Sequence, residues 1–174
     1  GTCISVNQEV IHGIPGRRIL QEGDIVSVDV VVQLNGFCSD GARTYAVGKI
    51  APDIQHLLDV TQLCLAEGIK QAIIGNRLGD IGSRVQQIAE AEGYGVVRDY
   101  VGHGIGREMH EAPDVPNYGV AGRGLRLVNG MVLAIEPMIT MGTHEVYCLN
   151  DGWTVVTKDA RPSAHFENTV AITP

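Results

Sequence analysis

The chain has 174 residues, 44% of them hydrophobic and 19% charged, which is long enough to bury a core as one domain spanning 1–174 and too apolar to be disordered. A net charge of −7 disfavours nucleic acid as a partner. The apolar stretches are strand-length and interrupted, so no membrane-spanning segment is expected.

In chain order, Cys3-Ile4-Ser5-Val6 is strand-like and leads to a turn around Gly13-Ile14-Pro15-Gly16. Asp24 to Val32 reads as a strand, because Ile25, Val26, Val28, Val30, Val31 and Val32 are β-branched. Asn35-Gly36 follows, a strong two-residue hairpin signal, and Phe37 to Val47 is the returning strand. That loop pairs Asp29 with Ala42 and Asp40 with Val31, so the two aspartates share a face as diagonal neighbours, roughly 7–8 Å apart at the backbone. Ile54, Leu57, Leu58, Leu65, Ile69 and Ile73 recur at helical spacing behind Pro52. Gly75 to Gly79 breaks the pattern, and Ile81, Val85, Ile88 and Ala89 form a second helical stripe ended at Gly93. Strands return at Val96-Val97, Met131 to Ile135, Trp153 to Val156 and Thr169 to Ile172. This order predicts an α+β fold with an antiparallel-rich sheet.

Four carboxylates sit among residues that favour burial. Asp29 lies between valines, Asp40 shares its face, Glu136 follows Val132-Leu133-Ala134-Ile135, and Glu167 follows Phe166. Buried charge is costly without compensation, and no adjacent Lys or Arg offers to pair with each. His103 stands between Gly102 and Gly104, residues that allow close backbone approach or unusual dihedrals. His110 lies on the same glycine-rich segment, and His12 is framed by apolar residues and a turn. His56 and His144 read as surface residues, and His165 gives no signal. Two Asp, two Glu and one His exceed the needs of one tetrahedral ion and suit two divalent ions of hard or borderline character, with Mn, Fe, Co and Zn all compatible. A pair of ions of that kind is a hydrolytic device, and surplus histidines beside it serve as hydrogen-bond donors to a developing oxyanion. Cys3, Cys38, Cys64 and Cys148 are scattered without a C-x-x-C pair and read as reduced thiols, which with the lack of an N-x-S/T sequon points to the cytoplasm.

The order Asp, Asp, His, Glu, Glu resembles the metallopeptidases of the pita-bread fold. More specific strings are Asn7-Gln8-Glu9-Val10-Ile11-His12-Gly13-Ile14-Pro15, Gly23 to Asp29, Gly102-His103-Gly104-Ile105-Gly106-Arg107, Ile135-Glu136-Pro137-Met138 and Asp151-Gly152-Trp153-Thr154-Val155. These resemble the bacterial-type (type I) methionine aminopeptidases from about Cys3 to Thr173. The resemblance implies removal of initiator methionine from a peptide or nascent chain by a dinuclear metal site. It implies Asp29, Asp40, His103, Glu136 and Glu167 as metal ligands, with Asp29 chelating and Asp40 and Glu167 bridging. It implies His110, His12 and Glu136 as catalytic groups, and His12, Cys3, Met109 and Trp153 as substrate contacts. Alternatives of the same fold are a proline-specific peptidase and a non-catalytic binding protein. Family members carry additional helices ahead of the position of Cys3, so a chain beginning at Gly1 is expected to lack them. The half of the sheet holding Asp29 is then expected to expose a large apolar patch, covered by a second chain or leaving the isolated protein prone to aggregate.

Overall fold

The computed structural model describes residues 1–174. The chain opens with β1 (Thr2–Val6) and β2 (Glu9–Ile11), then the hairpin of β3 (Ile25–Leu34) and β4 (Phe37–Ala46). Two helices follow, α1 (Pro52–Lys70) and α2 (Leu78–Ala91). The remainder is short strands: β5 (Gly95–Val96), β6 (Gly102–Gly104), β7 (Glu111–Val115), β8 (Val132–Ile135), β9 (Met138–Thr140), β10 (Val146–Cys148), β11 (Val155–Thr157), β12 (Ser163–His165) and β13 (Asn168–Ala171). Four antiparallel sheets run in the orders β1-β3-β4, β10-β11-β2, β12-β9-β5 and β13-β8-β6-β7. The α+β expectation holds.

The hairpin register is the one that its loop dictates. Asn35 and Gly36 both take positive φ, 52° and 78°, as a twisted two-residue turn requires. Asp29 therefore faces Ala42 and Asp40 faces Val31. The two ends of β3 differ in fate. Ile25 and Val26 are buried, whereas Val30, Val32 and Leu34 on β3, with Phe37 and Tyr45 on β4, remain exposed. By strand alternation this apolar row lies on the face opposite the Asp29 side chain.

The helices pack on each other and on β8, β9 and β12 through α1 and on β5 through α2. Leu57, Cys64, Leu65, Ile81, Val85 and Ala89 meet Leu133, Ile135, Ile139 and Ala164 in the main core. A smaller core of Val10, Ile11, Val97, Met138 and Val155 lies between β2, β9 and β11. Some boundaries differ from the sequence reading. The first helix ends at Lys70 and leaves Ile73 exposed. Gly79 lies inside α2, where a Cβ would strike the carbonyls of Val120 and Arg123, so its bareness serves packing rather than breaking. Trp153 is not in a strand, because the Asp151 carboxylate accepts the N–H groups of Trp153 and Thr154, each at 2.9 Å, and folds that segment into a turn.

β6 sits between β7 and β8, and its glycines make that possible. A Cβ on Gly102 would meet the Ala134 carbonyl, and one on Gly104 the Ala112 carbonyl. Gly102→Ala is expected to cost about 1–3 kcal/mol through overpacking. Thermal unfolding of the variant checks this, and an unchanged Tm would contradict it.

Candidate metal centre and active site

One cavity of about 200 Å³ is lined by Ile11, His12, Asp29, Asp40, Tyr100, Val101, Gly102, His103, His110, Asp114, Glu136 and Glu167. The hairpin supplies the two aspartates, β6 supplies His103, and the chain just after β8 supplies Glu136. Glu167 lies between β12 and β13 and is only 2% exposed. His103 Nε2 stands 3.6 Å from Glu136 Oε1 and 4.0 Å from Asp40 Oδ2. Ligand atoms of Asp40, His103 and Glu167 lie within 4.8 Å of one another, as do those of Glu136, His165 and Glu167. His103 Nδ1 lies 2.8 Å from the Gly104 carbonyl, so the ring proton belongs there and the Nε2 lone pair is free to face the carboxylates.

The hairpin and the C-terminal segment meet along a seam that fixes the site. Glu167 N–H donates to the Ala42 carbonyl at 2.9 Å. On one side of that bond the Thr169 hydroxyl accepts the Asp40 N–H and donates to the Asp40 carbonyl, both at 2.8 Å. On the other side Thr44 Oγ1 does the same for His165, both at 2.9 Å. Two threonine hydroxyls thus replace backbone partners in a strand-like pairing. Arg43 adds bonds to the carbonyls of Ala42 and Glu167 and to Asn168 Oδ1. At the other end of the site, Asn117 Nδ2 donates to the Glu136 carbonyl at 3.0 Å.

The electrostatics show what the site lacks. Burial first, then the neighbouring carboxylates, raise Asp29 to about 7 and Glu167 to about 10, with Arg43 the opposing influence on Glu167. Asp29 Oδ1 and Glu167 Oε1 are buried without a hydrogen-bond partner. Burial also lowers the His12 pKa, outweighing the nearby Glu136. His12 holds a positive φ of 60° and meets the Tyr100 ring edge-on at 5.9 Å, a strained backbone of the kind that collects at functional sites. The His110 ring lies 4.3 Å from that of His103. Oxygen-rich donors, one correctly tautomerised histidine and orphaned carboxylate oxygens fit divalent metal.

The structure brings seven of the sequence-selected residues to this cavity: Asp29, Asp40, His103, Glu136, Glu167, His12 and His110. Cys3, Met109 and Trp153 are not in its lining. Cys3 pairs with Asp29 across β1 and β3, and burial with the Asp29 charge raises its thiol pKa. Met109 is partly exposed beside His110, and Trp153 is 63% exposed. Sequence reasoning missed Tyr100, Asp114 and His165. Asp114 follows from the strand pairing opposite His103, which glycine-rich spelling conceals.

Two measurements probe this arrangement. Asp29 and Glu167 have folded pKa values above their unfolded ones, so the metal-free native state holds extra protons, and their contribution is lost as pH rises through about 7 and on towards 10. The Tm of the metal-free chain is therefore expected to fall between about pH 5 and about pH 9, and the fall to shrink in Asp29→Asn/Glu167→Gln. A slope unchanged by that double substitution would refute the assignment. Thr169→Val leaves the Asp40 N–H and carbonyl unpaired and is expected to cost on the order of 1–3 kcal/mol, with Thr169→Ser close to wild type by calorimetry.

Comparison with known proteins agrees with this geometry. The metallopeptidase family M24 matches residues 1–174. A methionine aminopeptidase of Clostridium perfringens is 58% identical over 172 residues, covering 99% of this chain and 69% of the relative. The crystal structure of a methionine aminopeptidase from Thermotoga maritima superposes with a TM-score of 0.97 at 49% identity, over 99% of this chain and 70% of that one. A prolidase from Pyrococcus furiosus shares the fold more distantly, with a TM-score of 0.78 at 26% identity, over 99% of this chain and 46% of that one. The common architecture is the pita-bread fold, and with a match that runs from the first residue to the last, the chain belongs to metallopeptidase family M24.

Proposed function

We infer that the chain is a metal-dependent aminopeptidase that removes the N-terminal methionine of polypeptides. The observation that carries this reading is the convergence of Asp29, Asp40, His103, Glu136 and Glu167 on one cavity in a chain so similar to methionine aminopeptidases. We propose that two divalent ions, of Mn, Fe, Co or Zn, would be held by these five side chains. Five ligands, of which Asp29 Oδ1 and Glu167 Oε1 have no other partner, favour two ions over one. When bound, such ions polarise the scissile carbonyl and bring the pKa of water towards neutrality.

The protein's own groups do the rest. Glu136 accepts the proton of the attacking water and passes it to the leaving amide nitrogen. His110, on the cavity wall beside His103, donates to the carbonyl oxygen as negative charge develops there. His12, kept neutral by burial, contacts the amide of the cleaved bond. Cys3, Met109 and Trp153 are proposed as contacts of the methionine side chain, for which soft apolar groups suit a thioether. We propose residues 1–174 as one catalytic unit, since its ligands come from Asp29 near one end and Glu167 near the other. No helix is long and apolar enough to cross a membrane, and four free cysteines favour the cytoplasm as the place of action. No finding supports a second chain on the exposed hairpin face.

Hydrolysis of Met-Ala-X against X-Pro peptides, after metal loading, tests the reading. Release of methionine is expected, removed by chelation and restored by divalent metal. Preference for X-Pro would instead mark a proline-specific peptidase, and metal binding without hydrolysis of either a binding protein. His110→Ala is expected to retain metal while turnover falls by roughly 10²–10⁴. Loss of metal in that variant would make His110 a ligand and overturn its role.

A further inference from the structure

We propose that His165 is a positioning residue, whose Nε2–H orients the Glu136 carboxylate from behind the metal centre. This rests on the reading of Glu136 as ligand and proton relay. His165 ends β12, is 1% exposed, and has neither ring nitrogen hydrogen-bonded to another group. Its Nε2 lies 3.3 Å from Glu136 Oε2, on the carboxylate oxygen that His103 does not approach. Its backbone is held on both sides by Thr44 Oγ1, which Ser27 Oγ meets in turn at 2.8 Å. A ring placed this rigidly and aimed at one carboxylate oxygen needs a purpose, because burying polar nitrogens without partners costs on the order of 1–3 kcal/mol each.

Direct metal ligation is the competing use, since His165 Nε2 groups with Glu136 and Glu167 at ligand-like distances. The two histidines differ in the way that decides this. Histidine ligands donate the other ring N–H to an acceptor, which fixes the tautomer. His103 does so, through Nδ1 and the Gly104 carbonyl. His165 Nδ1 has no acceptor, so ligation through Nε2 would strand a buried N–H. With the proton on Nε2 instead, the donor meets Glu136, and only an acceptor lone pair is left without a partner. Asn117 already fixes the Glu136 backbone, so His165 supplies the restraint at the carboxylate.

The test uses the full chain, titrated metal-free with Mn²⁺ by calorimetry and then assayed on Met-Ala-Ser. His165→Leu is expected to bind as many Mn²⁺ as wild type and to lose roughly 10–100-fold in kcat with little change in KM. His165→Gln, which keeps a side-chain N–H donor, is expected to recover most of that loss. If the leucine variant does not fold, His165→Met takes its place as the donor-free form. Wild-type kcat in the donor-free variant overturns the proposal, as does a loss without recovery in His165→Gln, or a missing equivalent of Mn²⁺, which would make His165 a ligand. Glu136→Gln is measured alongside. If it keeps wild-type turnover, the reading of the site fails and takes this proposal with it. If it is inactive while His165→Leu is unimpaired, the positioning role alone fails.

Discussion

Four carboxylates brought together in one largely buried cavity repel each other, and the rest of the fold is arranged around that repulsion. Arg43 is the one guanidinium set against Glu167, and it spends its hydrogen bonds on carbonyls and on Asn168 rather than on a carboxylate. The protein does not neutralise the site with its own cations. It leaves carboxylate oxygens of Asp29 and Glu167 without partners and lets protonation relieve the charge until a divalent cation does so better. A site of this kind is unfavourable to the empty fold and favourable to ion capture, which is the sense in which metal binding and stability are linked here.

Such a cluster must be held by backbone that cannot spread apart. The hairpin gives Asp29 and Asp40 a fixed diagonal relation, but Glu167 arrives from a distant part of the chain. The seam joining them alternates one backbone bond, Glu167 to Ala42, with two threonine hydroxyls that each clasp both polar groups of one residue. A hydroxyl can bridge two strands that stand too far apart for regular pairing, so the seam keeps its register while leaving room for side chains between. The positions clasped are functional: Asp40 on one side, and on the other His165, the neighbour of Glu136. Glycine solves the analogous problem at β6, where Gly102 and Gly104 let three strands close on His103.

What could be read in the sequence follows from length scale. The β3–β4 hairpin was legible in its register because Asn35-Gly36 fixes the loop and ten-residue strands follow on each side. Both helices were legible because several turns of apolar periodicity outweigh a glycine, although Gly79 was misread when its reason was a neighbouring loop. β2, β6, β7, β9, β10 and β12 run to five residues or fewer, too short for an alternating pattern to stand out. The carboxylates announced themselves by being polar among valines and leucines. His165 did not, since Ala164-His165-Phe166 has the same look whether its ring faces water or the core. Its burial depends on which strands lie over it, and that information sits in β4 and β9.

Division of labour between rigid and strained parts of the site follows from the same geometry. The carboxylates and His103 stand on paired strands or are tied to them, where the backbone is overdetermined. His12 stands just past β2 at positive φ, against the edge of Tyr100, and His110 on the exposed loop between β6 and β7. The residues that must hold an ion are therefore the ones the fold immobilises. Of those that must meet a substrate whose shape changes during reaction, His110 sits on a connecting loop, whereas His12 sits at a strand end in a backbone conformation that its neighbours hold. A histidine on a loop can follow the carbonyl oxygen as it pyramidalises, and one on a central strand cannot. His165, clasped at its backbone and sealed from water, belongs with the first group, which is why its effect is expected on a carboxylate rather than on the peptide.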